Sequence, residues 1–539
     1  MSISNKLGKA GATRDPNNTP VSVQGKILGR ESEMAANRGG GVGFINPVWV
    51  QLDRFLLIGV QEGTWVVSDS LVRIGADCVK ACLGIDYKRT IDRAVYVSEK
   101  GLAKNNDYAL YVIAVAAGST KREIRKYALS KLNEVARTGT HLFHFMEMVK
   151  FNRGRGRLFK EAVTNWYKSK PIERLAYQVV KYKQRDGWSH RDVLRLVRPK
   201  ADTPEENSVY KFAVKGELDE TVPPIIMASE IALINPDDSE MIKGLIQKEG
   251  LTWEMLPSEC LNVPEIWKTL LQEKSLPLNA LMRNLGRMSS LNITNSQENE
   301  DLIISRLTDR DEVKKARIHP LNALLALITY GNGSGHLGSL SWRVNSNIKK
   351  ALEETFYASF DYLPSTGKKF LLAVDVSGSM SSNAAGATAL RALDVSACMA
   401  LLLKKVEKES VVLGFSDRLT DLGISSKDSL EDARKKCLKK NFGTTYCSLP
   451  VEFALNKHLH VDCFVVITDN DANGGSHTSQ VFDKYQKEIN QNAKLVVLSV
   501  TAGRTGICDP KNRDMLDIVG FSPEVPKIIN WFASSKFEG

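Results

Sequence analysis

Between about residues 50 and 360, apolar side chains recur three and four positions apart, the spacing of helices that bury one face. In REIRKYALSKLNEVAR (122–137), Ile124, Ala128, Leu132, Val135 and Ala136 fall on one side. The same spacing predicts helices over 158–169, 173–185, 188–198, 264–274, 279–288, 319–330 and 347–360. Pro or Gly commonly separates them, as in KSKP, RDG, LNVP and SLPL. A succession of short helices with short connections predicts an α-helical solenoid or bundle, although no clean sequence period is present.

After about residue 365 the pattern changes. FLLAVDV (370–376), VVLGF (411–415), CFVVIT (463–468) and LVVLSV (495–500) are apolar runs of strand length, each suited to burial on both faces. Helical stretches at 389–406 and 478–490 lie between them. Strands alternating with helices predict a parallel, doubly wound sheet. The fold class is therefore α + α/β. The expected division is a mobile arm at 1–42, a helical domain at 43–363 and an α/β domain at 364–539.

Composition narrows the class. With 43% apolar and 25% charged residues the chain is globular, and it holds no apolar run long enough to span a membrane. The first twenty residues lack an apolar core, which argues against a secretory signal. The eight cysteines are scattered, and Cys78 and Cys82 have no partner pair or His nearby to complete a zinc site. They are expected to be buried thiols in a reducing, cytoplasmic setting. The net charge of +11 matters for its location. Residues 150–200 carry 15 Lys and Arg against 4 Asp and Glu, and the rest of the chain is close to neutral. One concentrated basic block points to a polyanion-binding face.

The first strand of the α/β part runs into DVSGSM, with Asp375, Ser377 and Ser379 at alternate positions. In extended chain these three side chains point the same way, at the carboxyl edge where parallel sheets bind ligands. VVITDND ends the third strand with Asp469, and FGTTYCS brings Thr444 and Thr445. Two carboxylates with hydroxyls, and no His or Cys, form a hard-oxygen set. That set suits Mg²⁺, with Mn²⁺ or Ca²⁺ as alternatives, and not zinc. The competing explanation is that Ser377 and Ser379 merely cap the following helix.

In the basic block, NRGRGR (152–157) presents Arg153, Arg155 and Arg157 on a glycine-loosened loop, followed by Lys160. KYKQRDGWSHRDVLRL then interleaves Lys181, Lys183, Arg185, Arg191 and Arg195 with Tyr182, Trp188 and His190. Cations for phosphates and flat rings for bases suit single-stranded RNA. Ser189 is placed to cap the next helix, which puts His190 in its first turn, where free N–H groups favour an anion. Trp166, Tyr167, Tyr177 and Trp188 are expected to pack between helices, and His141 and His144 to lie in the core.

Two resemblances follow from these residues. DVSGSM, GTT and TDN resemble the metal-ion-dependent adhesion site of von Willebrand factor A domains, which implies Asp375, Ser377, Ser379, Thr445 and Asp469 as ligands. The family often has Asp after the threonine, where this chain has Tyr446. KYKQRDGWSHRDVLRL, TNWYKSK, LDRFLLIGVQEGTWVVS and KARIHPLNALLALITYGNG resemble the Ro (TROVE-domain) ribonucleoprotein family, from about residue 45 to the end. The segment KILGRESEMAANRGGG looks more like its bacterial or phage members. That resemblance implies a ring of HEAT-like helical repeats closed by the A domain. It implies small noncoding Y-type RNAs on a basic outer surface, and single-stranded 3′ ends of misfolded RNAs in a central hole. It also implies an exoribonuclease partner, a role in RNA quality control, and an RNA-contacting role for His190.

Other functions compete. GSGHLG (333–338) has dinucleotide-loop spacing but no strand before it or helix after it, and no G-x-x-x-x-G-K-[ST] loop is present. A metal beside a strand-ending Asp also suits a phosphohydrolase, but the second acid expected two residues on is Ser377, and no general base is evident. The chain is therefore expected not to be an enzyme. An adaptor whose metal takes an acidic residue from a protein partner is the other alternative.

Overall fold

Apolar helices that contact their near neighbours in sequence build one of two compact units, Val79–Ser359; residues up to Cys78 join Phe360 onward in the other. The computed structural model describes residues 24–37, 40–58, 69–103, 105–150, 156–335, 339–360, 363–384, 387–438, 444–469, 472–500 and 505–534.

In the helical unit, Asp107–Ala117 is apolar on every side, and Tyr108 to Ala116 are all buried. Tyr87–Lys100, Arg122–Ser130 and Gly139–Lys150 pack around it. Further along, each helix again meets those one to three places away, which is the packing of stacked helical repeats. Local chemistry sets the ends. The Asp86 carboxylate accepts from Arg89 N–H at 3.0 Å to start one helix, and Gly101 at φ 65° ends it. Thr203 caps Pro204–Lys215, with the proline in its first turn.

Two predicted helices end early. The stretch 122–137 is broken into Arg122–Ser130 and Leu132–Val135. The helix expected over 173–185 stops at Lys181, and Gln184–Arg185 pairs with Trp188–Ser189 in a small hairpin. Its turn residues Asp186 and Gly187 have φ of 50° and 77°. Asp-Gly is the pair that favours such a two-residue turn, whereas two-residue strands are too short to show a period.

The α/β unit holds strands β1 (Phe370–Asp375), β2 (Ser410–Phe415), β3 (Leu419–Asp421), β4 (Cys463–Thr468), β5 (Lys494–Ser499) and β6 (Met515–Val519). Their order is β6-β5-β4-β1-β2-β3, parallel except for β3. The four predicted strands are all present; β3 and β6 are additional edges. β1, β4 and β5 are buried along their whole length. One face packs Leu371, Phe464, Val466 and Leu495 against Phe482 and Tyr485 of the helix Thr478–Glu488. The helix Ala392–Val406 also packs against β1. The chain leaves β1 to one side for β2 and later returns to the other side for β4. The carboxyl ends of β1 and β4 therefore form a switch point, where such sheets bind ligands. All eight cysteines are buried thiols.

Part of the stretch 1–42, expected to be a mobile arm, is ordered in a sheet. Residues 1–23 lie outside the described residues, but Met34–Ala36 pairs with Val42–Ile45, which in turn pairs with Thr505–Gly506. Arg54 on the helix Val48–Ile58 donates to Thr505 O at 3.0 Å. A polar stretch can still join a sheet, because ladder hydrogen bonds use the backbone alone.

Candidate functional site

At the switch point, Asp375 ends β1 and is fully buried. Its Oδ1 accepts from Ser377 N–H at 2.9 Å, and its Oδ2 from Thr468 Oγ1 at 2.7 Å. Ser377, still extended and buried, places its Oγ 3.0 Å from Ser379 Oγ. Ser379 is exposed, since the chain turns into a short 3-10 helix at Gly378–Ser381. Burial, and then the nearby Asp469 carboxylate, push the Asp375 carboxyl above the usual carboxylate range. A nearby cation would offset the cost of charging the buried Asp375 carboxylate.

Thr445 is buried and Thr444 exposed. Thr445 N–H donates to Asn473 Oδ1 at 2.8 Å, and Tyr446 N–H donates to Ser416 O, just past β2, at 3.0 Å. Asp375, Ser377, Ser379, Thr445 and Asp469 thus all stand at one sheet edge. Among the described residues no three His, Cys, Asp or Glu side chains gather as a metal-binding group. The donors are two acids and neutral hydroxyls, which fits a hard cation and not zinc.

The basic block folds as helices α1 (Gly139–Lys150), α2 (Arg157–Lys168), α3 (Ile172–Lys181) and α4 (His190–Val197), with the hairpin between α3 and α4. α2 buries Phe159, Val163, Trp166 and Tyr167, so Arg157 and Lys160 face solvent. α4 buries His190, Val193, Leu194 and Val197, leaving Arg191 and Arg195 outside. α2 and α4 touch, and an open groove lined by Arg157, Lys160, Thr164, Asn165 and Val197 runs along them. Arg157 pairs with Glu161 at 2.8 Å, but at 92% side-chain exposure the pair is weak and exchangeable for a phosphate. Lys183 and Arg185 are exposed on the hairpin. Trp188 Nε1 ties that hairpin to Glu147 at 2.9 Å, and His144 lies 2.7 Å from Asp107 and 3.7 Å from Asp186. Arg153 and Arg155 lie outside the described residues.

Two expected surface contacts are inside. Ser189 does cap α4, in a reciprocal pair with Asp192, but His190 is only 3% exposed. Its Nδ1 is 2.9 Å from Tyr167 Oη, and its ring meets Phe143 edge-on and stacks on Trp166. Positions 190, 193, 194 and 197 are one helical stripe, so the spacing that buries Val193 and Leu194 buries His190 too. Lys181 folds inward with its Nζ 2.9 Å from Tyr177 Oη and 3.7 Å from Glu254. Lys170, not singled out by its sequence context, lies with its Nζ 3.4 Å from the centre of the Trp166 ring. Burial, and then Arg174, push its ammonium down to about 7.

The comparisons with known proteins fall on these same elements. The TROVE domain model matches residues 35–221 and 243–330, and the Ro60 vWA domain model matches 369–533. The chain is 34% identical to RNA-binding protein RO60 of Deinococcus radiodurans, covering 93% of this chain and 96% of that protein. This chain belongs to the Ro60 family. RNA-binding protein RO60 of Caenorhabditis elegans is 30% identical over 94% of this chain and 91% of its own length. The crystal structure of the D. radiodurans RO (RSR) protein superposes with a TM-score of 0.71 at 34% identity, covering 90% of this chain and 99% of that one. The Ro60 vWA match spans every residue of the sheet-edge set, and the TROVE match spans α1 to α4. Among the described residues of this Ro60-family chain, no helix is long and apolar enough to cross a membrane.

Proposed function

We propose that this chain binds RNA through the outward faces of α2 and α4 and the hairpin between α3 and α4. The observation that carries this is a division of labour along two helices: the apolar stripes face inward, while Arg157 and Lys160 line the groove and Arg191 and Arg195 face out from α4. Lys183 and Arg185 extend the set. The Ro60 relatives are named as RNA-binding proteins and not as enzymes, which supports a non-enzymatic role. Within that reading the ligands are small noncoding Y-type RNAs and single-stranded 3′ ends of misfolded RNAs, the latter in the hole of a ring. The setting is cytoplasmic RNA quality control with an exoribonuclease. Family membership is the support for these finer assignments.

The test is a salt titration of affinity for an RNA duplex bearing a single-stranded 3′ tail, with a blunt duplex alongside. The tailed RNA is expected to bind more tightly, and its log K to fall, for each tenfold rise in salt, by about 0.7 per phosphate neutralised on the single strand. A flat salt dependence excludes a phosphate-based interface.

The sheet edge supports a second site. Asp375, Ser377, Ser379, Thr445 and Asp469 would hold a divalent cation, Mg²⁺ by the hardness of its donors, with Mn²⁺ or Ca²⁺ as substitutes. When bound, the cation offers an electrophilic position to an acidic side chain of a protein partner. The chain's own part is to keep Asp375 desolvated and aimed, with Thr468 Oγ1 and Ser377 N–H holding it. Adding Mg²⁺ is expected to raise the thermal midpoint of the wild type and to leave that of Asp375→Ala unmoved. An equal response of both proteins would place the cation elsewhere.

A further inference from the structure

The loop 472–477 begins three residues after Asp469 and lies between two parts of the α/β unit. On its inner side, Asn473 grips Thr445 twice: Asn473 Oδ1 accepts from Thr445 N–H at 2.8 Å, and Asn473 N–H donates to Thr445 O at 3.2 Å. Gly475, at φ 76°, lies against Tyr446 and Ser448, where a Cβ would come within 3.4 Å of Tyr446 Cβ.

On its outer side the same loop is covered by the N-terminal segment. The Asn37 amide donates to Ala472 O, while Asn37 Oδ1 accepts from Gly41 N–H at 2.9 Å. His477 Nε2 donates to Gly25 O at 2.6 Å, and Gln24 Nε2 donates to Ser476 O at 3.4 Å. Gly41 passes so close that a Cβ there would stand 2.1 Å from Ala472 O and 3.0 Å from Asn473 Cα. The void left near this seam is about 10 Å³, no larger than one water.

From this seam we infer that Asn37 and Gly41 position the proposed cation site, through Ala472 and Asn473 and from Asn473 to Thr445. The inference rests on the metal reading of the sheet edge. Thr445 and Asp469, two of the proposed ligands, flank or contact this loop, and a cation site tolerates little displacement of its donors. Asn37 and Gly41 touch no proposed ligand themselves; they set the loop that sets Thr445. The segment is far in sequence from the α/β domain it serves, so its loss would loosen the site while leaving every ligand in the chain.

The experiment uses the full chain and Mn²⁺ as the probe, with free Mn²⁺ followed by its paramagnetic resonance signal well below the unfolding midpoint. Wild type is expected to bind one ion at this edge and Asp375→Ala none. Asn37→Ala is expected to weaken binding about tenfold, and Gly41→Ala more, because the added methyl displaces the Ala472 carbonyl. Arg30→Ala is the control. It removes the Arg30 pairing with Asp509, which anchors the same segment away from the loop. It is expected to lower the midpoint of the metal-free protein and to leave Mn²⁺ affinity unchanged. If Asn37→Ala and Gly41→Ala only lower the metal-free midpoint and bind Mn²⁺ as wild type does, the relay is overturned while the metal site stands. Arg30→Ala weakening the ion as much as Asn37→Ala overturns it equally. No binding by the wild type overturns the metal site and the relay with it.

Discussion

Replacing Arg157, Lys160, Arg191 and Arg195 together by Gln lowers the affinity for a 3′-tailed RNA by about 100- to 1,000-fold at 0.1 M salt. The estimate follows from counterion release. Each cation that neutralises a phosphate of a single strand contributes a factor of about five at that salt concentration, and the factors multiply. The salt slope is expected to fall in the same variant by about 3, because the lost contacts are the lost counterions. Stability is expected to change little, since all four side chains are exposed and their neighbours on the buried stripes are untouched. A variant that folds and binds RNA with the wild-type affinity and slope removes α2 and α4 from the interface. The paired measurement matters because Trp166, Tyr167 and His190 lie directly beneath, and a folding defect would imitate a binding defect.

Acidification from pH 7 to pH 5 costs the wild type about 2 kcal/mol more stability than it costs His190→Phe. Burial holds the His190 imidazole down to about 3, with Lys170 acting in the same direction and the Gln178 backbone opposing. In the unfolded chain the ring takes up a proton near pH 6.5. Between those two values the unfolded state binds more protons, so stability falls as pH falls through about 6.5 and goes on falling toward 3. His141 is also held down, to about 4, by burial and Arg137, and it titrates in the same sense. His144 is raised, because Asp107 more than offsets its burial. Both occur in both proteins, so the difference between them isolates His190. Denaturant unfolding at pH 7, 6 and 5 reads it. Equal pH dependence in the two proteins would mean that the ring is accessible to protons in the native state. A phenylalanine suits the site in shape, among Phe143, Trp166 and Tyr167, but leaves the Tyr167 hydroxyl without its ring-nitrogen partner. The variant therefore starts from a lower stability at pH 7, by about 1 to 3 kcal/mol.

His190 also shows how far a local pattern carries. Its neighbours, basic and aromatic, suggested a surface contact, and the cap at Ser189 formed as its spacing implied. The same helix repeat that exposed Arg191 and Arg195 nonetheless turned His190 inward. The stripe of 190, 193, 194 and 197 was visible in the chain. A helical register outweighs the basic neighbours of a single histidine. Lys181 differs. Its burial depends on Tyr177, Tyr182 and Glu254, and Glu254 is distant in sequence, so no local pattern predicts it.

The buried strands, the helices and the alternate placing of Asp375 and Ser377 were determined by the sequence alone. Each depends on a short period or on a neighbour's backbone geometry, and both are local quantities. Local order also placed the basic residues of α2 and α4 on their outer faces once the apolar positions were assigned. Tertiary structure alone decided that residues 24–58 complete the α/β unit, that β6 extends its sheet, and that Asn473 holds Thr445 while Asn37 holds the loop behind it. Those contacts join residues tens to hundreds of positions apart, either backbone to backbone or from an Asn side chain to a distant backbone group. The distant partner is in each case a backbone N–H or C=O, a group common to almost all residues, so the local order of side chains does not mark which one is met.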